Sequence, residues 1–526
     1  MNKLTYTFVF ILCFSKLYTQ DIIHASFRGV WVSTVKMLDY PSKKNLYSDN
    51  LKEEFIDILN TCEQLNINAI IFQIRPATDA FYNSPFEPWS EWLTGKQGRP
   101  PNPFFDPLEF MIEESHKRNI QFHAWINPFR AIATINVADV VPNHISKTKP
   151  NWFFDYGKHR YFNPGIPEVQ TYILKVIADI VRRYNVDGIH FDDYFYPYPE
   201  KDANGTIKPI PDIETYNLYG KNFGRIEDWR RNNINTFVHR VHDTIKAIKP
   251  NIVFGISPTA VWRNKEYDHK GSATRGLASF DWLYADVLLW MKNNWLDYVA
   301  PQLYSHIGHK QVDFRETLKW WCNNSQNIPI YIGLNLEGID ENKKSVHWAN
   351  PRQIPNQMKL SLSYPQVKGF ILYRYKTIVK NPLGIKDSIA FAFKNAISIP
   401  FEAKKDSVVI AKQIVTQDIK PSFEPSKPTN LSKYFYDKEL IIMWETADNL
   451  DSIAQFVVYE KFFDKNNNID TFNIVAKTEN NFINLRVKRT IFGKKRYLCV
   501  STKGKNQKES AKSDLINVKI SKIIQN

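Results

Sequence analysis

Hydrophobic and polar positions along this chain follow two alternating rhythms. Short apolar strands with side chains on alternate faces are followed by amphipathic stretches of helical period. The strands fall at Phe27 to Ser33, from Ala69, from Gln121, from Asp187, at Asn251 to Ser257, from Tyr298, from Ile328 and at Val367 to Tyr375. Helices are expected over Leu51 to Leu65, Leu108 to Arg118, Pro167 to Tyr184 and Trp229 to Ile248. Further helices fall around Phe280 to Asn293, near Phe314 to Ser325, from Gln353 and over roughly Gly384 to Ile397. Eight strand–helix units without a break predict an α/β fold, a (β/α)8 TIM barrel over residues 26–398. A doubly wound sheet would need a glycine-rich phosphate fingerprint, which is missing. Residues 399–425 are rich in Lys, Pro and Ser and read as a linker. Over 426–522 only short, evenly spaced strands remain, which predicts a small all-β immunoglobulin-like sandwich.

The strand from Asp187 carries the strongest chemical signal. Ile189 and Phe191 share one face, and His190 and Asp192 share the other. The sequence then turns acidic and aromatic through Asp193, Tyr194, Phe195, Tyr196 and Tyr198. An acid on the core face is costly without a purpose. Other strands repeat the pattern, with Gln73 and Arg75, then His123, Trp125 and Asn127, then Gln302 and Tyr304, then Asn335 and Glu337. In each case the polar inner residues gather at the C-terminal end, where barrel enzymes build their sites. Any one of them could be a satisfied core polar group, but a set at one end is harder to explain by packing.

The length, 526 residues, already implies more than one domain. Residues 1–20 read as a secretory signal peptide, with Lys3 ahead of the apolar run Phe8 to Phe14. That run is too short for a transmembrane span, so an exported protein is expected, in the periplasm, the cell envelope or outside the cell. Lipid anchoring at Cys13 is disfavoured because Leu12 is larger than the residue such sites carry. Cys62, Cys322 and Cys499 show neither a disulfide framework nor zinc spacing. The net charge of +15 favours anionic envelope surfaces as partners, and no motif supports nucleic acid. Aromatic residues make up 14% of the chain, which suits stacking against sugar rings.

Several motifs in order resemble the glycosyl-hydrolase-like 10 family. They are Arg28-Gly29-Val30-Trp31-Val32, Phe72-Gln73-Ile74-Arg75-Pro76, Glu87 to Gly95, His123 to Pro128 and the Asp187 strand. The resemblance implies an exported bacterial glycoside hydrolase with a (β/α)8 domain, some members being directed at peptidoglycan glycan strands. Asp187 to Asp192 is also similar to the catalytic strand of α-amylase-like barrels, which implies a nucleophile role for Asp192, with His190 in place of their arginine. Trp444 and Tyr497 resemble core residues of a fibronectin type III domain.

Glycoside hydrolysis usually needs two carboxyl groups flanking the scissile bond. Strand alternation allows only one of Asp192 and Asp193 to aim into the barrel unless the strand has ended, and Asp192 is the inward one. Glu87, among Pro88, Trp89 and Trp92, is the expected general acid, and Glu337 is its rival. Arg75, Trp125, Asn127, His190, Asp193, Tyr194, Gln302, Tyr304 and Asn335 are the expected substrate-binding residues, with Arg28 and Trp31 as supports of the first strand. No cofactor or metal is expected: His116, His123 and His190 lie on separate elements, and His306 with His309 alone is weak. Competing readings are a non-catalytic glycan-binding or adhesion protein of the envelope, and a deacetylase, which should show a metal cluster.

Overall fold

The computed structural model describes residues 25–133, 140–340, 345–394 and, with short gaps, 424–523. The expected signal peptide with Cys13, and the linker up to residue 423, lie outside the described residues. The chain opens with strands β1 (Phe27–Val32), β2 (Ala69–Arg75) and β3 (Gln121–Ile126). A small antiparallel sheet follows, made of β4 (Arg130–Ile132), β5 (Phe153–Tyr156) and β6 (His159–Phe162). The alternation of apolar and polar positions does not predict these three strands. The series resumes with β7 (Gly188–Phe191), β8 (Val253–Ile256), β9 (Tyr298–Val299), β10 (Ile330–Asn335) and β11 (Val367–Tyr373). The eight long-range strands close into one barrel in the order β1-β11-β10-β9-β8-β7-β3-β2. Every pairing around the ring is parallel.

Side-chain alternation divides the barrel into two apolar layers. Val30, Ile70, Phe72, Phe122, Ile189 and Phe191 face outward into the main core beneath the helices. The helix Ser48–Gln64 meets it with Leu51, Phe55, Ile58, Leu59 and Cys62, one stripe at helical spacing. The helix Pro167–Arg183 starts at a proline, whose missing N–H costs nothing at that position, and buries Val169, Ile173, Val176, Ile177 and Ile180. Inside the barrel, Phe27, Trp31, Ala69, Ile71, Trp125, Tyr298 and Ile371 form a separate cluster. Phe27 stacks on Tyr331 with ring centroids 4.1 Å apart and fills the N-terminal end. The expected helix around Phe280 to Asn293 is two short ones, Ser279–Trp282 and Val287–Lys292. Asp286 starts the second by accepting the Leu289 N–H.

The C-terminal strands are β12 (Thr429–Tyr436), β13 (Glu439–Glu445), β14 (Ile453–Asp464), β15 (Ile469–Thr478), β16 (Phe482–Lys488), β17 (Lys494–Gly504), β18 (Ile516–Ile520) and β19 (Lys522–Ile523). They form two sheets, β12-β13-β16-β19 and β15-β14-β17-β18. Leu440, Ile442, Trp444 and Leu485 from the first share a core with Phe456, Val458, Leu498 and Val500 from the second. Trp444 is in that core as expected, edge-on to Phe456. Tyr497 is not: it is 41% exposed, because the neighbouring Leu498 takes the inward position on β17.

Candidate active site

The floor of the barrel is a closed chain of hydrogen bonds. Gly188 and Gly255 make room for it, since a Cβ would stand 2.5 Å from the His123 ring and 2.0 Å from the Tyr298 ring. The Trp31 indole donates to His190 Nε2 at 3.3 Å. An indole N–H only donates, so His190 Nε2 is an acceptor and its proton sits on Nδ1. Nδ1 then donates to the Tyr298 hydroxyl at 2.9 Å, which donates to His123 Nδ1 at 3.0 Å. His123 Nε2 passes its proton's bond to Gln121 Oε1 at 3.1 Å. Burial holds His190 well below the usual histidine range and brings His123 down to about 4, so both rings are neutral. His190 therefore lies beneath the site and is spent on partners within the protein.

Above this floor opens a cavity of about 250 Å³. Its walls carry Trp31, Gln73, Trp125, Arg130, Asp192, Asp193, Tyr194, Tyr198, Ser257, Gln302, Tyr304 and Tyr373 among the described residues. β7 ends at Phe191, so the alternation rule lapses there. Asp192 and Asp193 consequently both reach the cavity, and both are buried. Asp192 Oδ2 accepts a hydrogen bond from Asn127 Nδ2. Asn127 Oδ1 accepts in turn from Gln73 Nε2 at 2.6 Å, and Gln73 Oε1 is fixed by the N–H groups of Thr34 and Val35, each at 2.9 Å. The loop after β1 thus sets the amide that holds Asp192. Burial first, and the charge of Asp193 second, push Asp192 up to about 7. Asp193 is also raised by burial, but the Tyr198 hydroxyl donates to it, and Gln302 opposes the shift as well.

Aromatic rings line the rest of the mouth. Tyr304 stacks on Tyr373 at 5.5 Å, and Trp31 meets Tyr373 edge-on at 6.2 Å. The Arg130 guanidinium lies 4.1 Å from the centre of the Tyr194 ring. Trp125 Nε1 is buried with no hydrogen-bond partner in the protein, as is Oδ1 of Asn335, which, against expectation, does not line the cavity.

Glu87 stands elsewhere. Its two oxygens accept from Arg75 Nε at 2.7 Å and Nη2 at 2.6 Å, and both side chains are fully buried. The remaining Arg75 donor is held by the Asn127 and Pro128 carbonyls. Neither residue lines the cavity, so Arg75 is engaged with protein partners and Glu87 does not close over the mouth. Burial raises the Glu87 carboxyl, against the pull of Arg75. Glu337 is exposed on the turn after β10, 2.8 Å from Arg374, which also pairs with the buried Asp39 at 3.2 Å. Arg28 is a support of β1, its guanidinium spent on Ala25 and Asn66. Of the expected residues, Asp192, Asp193, Trp125, Tyr194, Gln302 and Tyr304 converge on the cavity, with Asn127 one bond behind. Gln73, placed inward by alternation, also lines it, as do Ser257 and Tyr373, which the same alternation could have found. Arg130, which follows a Pro-containing turn, carried no such signal.

Among the described residues no group of three His, Cys, Asp or Glu side chains could hold a metal, and no helix is long and apolar enough to cross a membrane. The glycosyl hydrolase-like 10 family matches residues 26–350. Glycosyl hydrolase YngK of Bacillus subtilis (strain 168) is 43% identical over 370 residues, which is 69% of this chain and 71% of that protein. Glycosyl hydrolase DigH of Escherichia coli (strain K12) is 36% identical over 369 residues, 66% of this chain and 82% of that one. Among solved structures, the PgaB (BpsB) glycoside hydrolase domain from Bordetella bronchiseptica matches with 11% identity and a TM-score of 0.45, over 70% of this chain and 98% of that domain.

Proposed function

As a member of the glycosyl hydrolase-like 10 family, this chain, we propose, is a glycoside hydrolase that cleaves O-glycosidic bonds of a polysaccharide with Asp192 and Asp193. The observation that carries the reading is two adjacent carboxyls buried in one cavity, the first pushed up to about 7 and so able to keep a proton near neutral pH. A carboxylic acid poised there can protonate a leaving oxygen. Asp193 takes the ionised role, supported by the Tyr198 hydroxyl. Trp31, Tyr194, Tyr304 and Tyr373 offer faces for sugar rings, and the Trp125 N–H on the same wall lacks a protein partner. Glu87 in this reading keeps Arg75 and the Asn127 turn in place, and Glu337 pairs with Arg374.

Peptidoglycan glycan strands are the substrate we favour. Arg130 is the cation on the cavity wall among the described residues, and it suits the lactyl carboxylate of muramic acid. The basic balance of the chain, +15, would hold an exported enzyme against anionic envelope polymers. We read the C-terminal sandwich as a fibronectin type III-like attachment or spacing module, a reading supported by its strand order and by Trp444 in its core. Digestion of a purified glycan panel that includes peptide-free peptidoglycan strands, followed by mass spectrometry, tests the function. Shortened strands are expected. Binding without any new reducing end would identify a glycan-binding protein instead.

A further inference from the structure

A two-carboxylate glycosidase places its acid and its nucleophile or base on opposite sides of the sugar, about 5–5.5 Å apart when configuration is retained and about 6.5–9.5 Å when it is inverted. This cavity is built otherwise. Its two lining carboxyls are consecutive in sequence and enter from one point, the end of β7. The ring order puts β11 diametrically across from β7, and the residue that β11 presents there is Tyr373. Ser33, after β1, stands beside β11, and Ser257, after β8, stands beside β7; neither is an acid. Glu337, exposed after β10, is tied to Arg374 at 2.8 Å and does not line the cavity. Paired acids on one wall match two adjacent positions on one sugar: the glycosidic oxygen on C1 and a substituent on C2.

We propose that the substrate is a glycoside of a 2-acetamido sugar and that its own acetamido oxygen is the nucleophile, with Asp192 protonating the leaving oxygen and Asp193 accepting the acetamido N–H. The proposal rests on the glycosidase reading above and names its substrate class. In the first step the acetamido carbonyl oxygen bonds to C1, the C1–O glycosidic bond breaks, and the leaving oxygen takes the Asp192 proton. The bicyclic oxazolinium that forms keeps its N–H on the Asp193 carboxylate. In the second step water gives a proton to Asp192 and adds to C1, the C1–O bond of the fused ring breaks, and the acetamido group is restored. The product is a hemiacetal of retained configuration, and Asp192 is again protonated.

The surroundings divide the two roles in this sense. Asp193 receives the Tyr198 hydroxyl, which favours its anion. Asp192 accepts the Asn127 amide N–H and carries the proton that burial and its acidic neighbour make hard to lose. Tyr304 and Tyr373, stacked across the cavity, would face the ring and the methyl of the acetamido group.

The test uses the full-length protein and a 1,2-fused thiazoline of N-acetylglucosamine, a stable mimic of the oxazoline, titrated by calorimetry. A 2-deoxy-2-fluoro glycoside with a good leaving group is incubated in parallel and the intact mass recorded. The thiazoline is expected to bind, at least ten-fold more weakly in Asp193→Asn, and no glycosyl mass should accumulate with the fluoro sugar. A protein that cleaves glycan strands yet ignores the thiazoline overturns the proposal, as does a glycosyl adduct mapped to Glu337 or another acid. Should the Asp193→Asn protein fail to fold, the wild-type thiazoline and adduct results decide. A protein that cleaves no glycan and binds no thiazoline fails the glycosidase reading itself, which separates the two outcomes.

Discussion

Glu87 and Asp192 are both buried carboxyls near the same end of the barrel, yet they keep opposite electrostatic company. Glu87 faces the Arg75 guanidinium through two parallel hydrogen bonds at 2.6–2.7 Å, and the remaining Arg75 donor is taken by backbone carbonyls. That constellation is complete within the protein. Asp192 faces another acid, Asp193, and its cavity holds a Trp125 N–H with no partner. A buried charge whose partners are all present is part of the fold. A buried acid beside a like charge, with an unpaired polar group on the same wall, leaves work for a ligand to do. The barrel floor repeats the lesson, since the line from Trp31 through His190, Tyr298 and His123 to Gln121 leaves no donor for a substrate.

Neutralising each acid in turn should separate the two carboxyls most strongly. Asp192→Asn and Asp193→Asn should each lower glycan cleavage by on the order of 10²–10⁴-fold. Their melting temperatures should hold or rise, because the substitution removes repulsion between buried like charges. A parallel fall in stability and activity would mean that the pair is structural. Glu87→Gln should do the reverse. It leaves Arg75 buried without its counter-charge, at a cost of about 3–5 kcal/mol measurable by denaturant unfolding.

Acidity offers a second axis. Asp192 keeps its proton in the folded protein up to about 7, whereas an unfolded aspartate loses it near ~4. Between these limits the folded state binds the additional proton, so its stability should fall as pH rises through that window. Asp79, raised to about 7, and Asp179, raised to about 6, both chiefly by burial, act with the same sign. Cleavage should show an alkaline limb near 7, falling about ten-fold per pH unit above it. Asp192→Asn should make the stability profile shallower, and a wild-type rate that stays level to pH 9 would remove the acid role.

Smaller effects sharpen the boundary between floor and mouth. Tyr298→Phe strands the His190 and His123 nitrogens and should cost about 1–3 kcal/mol of stability. Turnover of the folded variant should change little, and a loss comparable to that of Asp192→Asn would bring the floor into the chemistry. Ending the chain near residue 400 should leave cleavage of short soluble glycans unchanged, since every lining residue precedes that point. A folded but inactive truncated protein would show that the C-terminal sheets complete the site.

The barrel was legible because its periodicity is strong and its order unbroken. All eight long-range strands occur where alternation put them, although β9 is only Tyr298–Val299. The β4–β6 sheet was hidden because its pairs join residues such as Arg130 and Tyr161 across a segment with no clear alternation. The site was legible where it lies on strands and lost where it depends on how strands end. Parity allowed only one of Asp192 and Asp193 to aim into the barrel unless the strand had ended, and β7 does stop at Phe191, so both line the cavity. The prolines and tryptophans around Glu87 correctly indicate burial, but they cannot reveal that Arg75, twelve residues earlier, turns to meet it. The resemblance to a fibronectin type III core implied that Tyr497 is buried, and one step of register places Leu498 inside instead.

The central claim is that Asp192, and not Glu87, gives its proton to the leaving group. The direct measurement compares two substrates of the same sugar, an ordinary glycan linkage and an aryl glycoside whose leaving group needs no protonation. Asp192→Asn is predicted to lose cleavage of the first by at least ~100-fold while keeping most of its bond-breaking rate on the second. Equal losses on both substrates, or the selective pattern appearing in folded Glu87→Gln, would contradict the account.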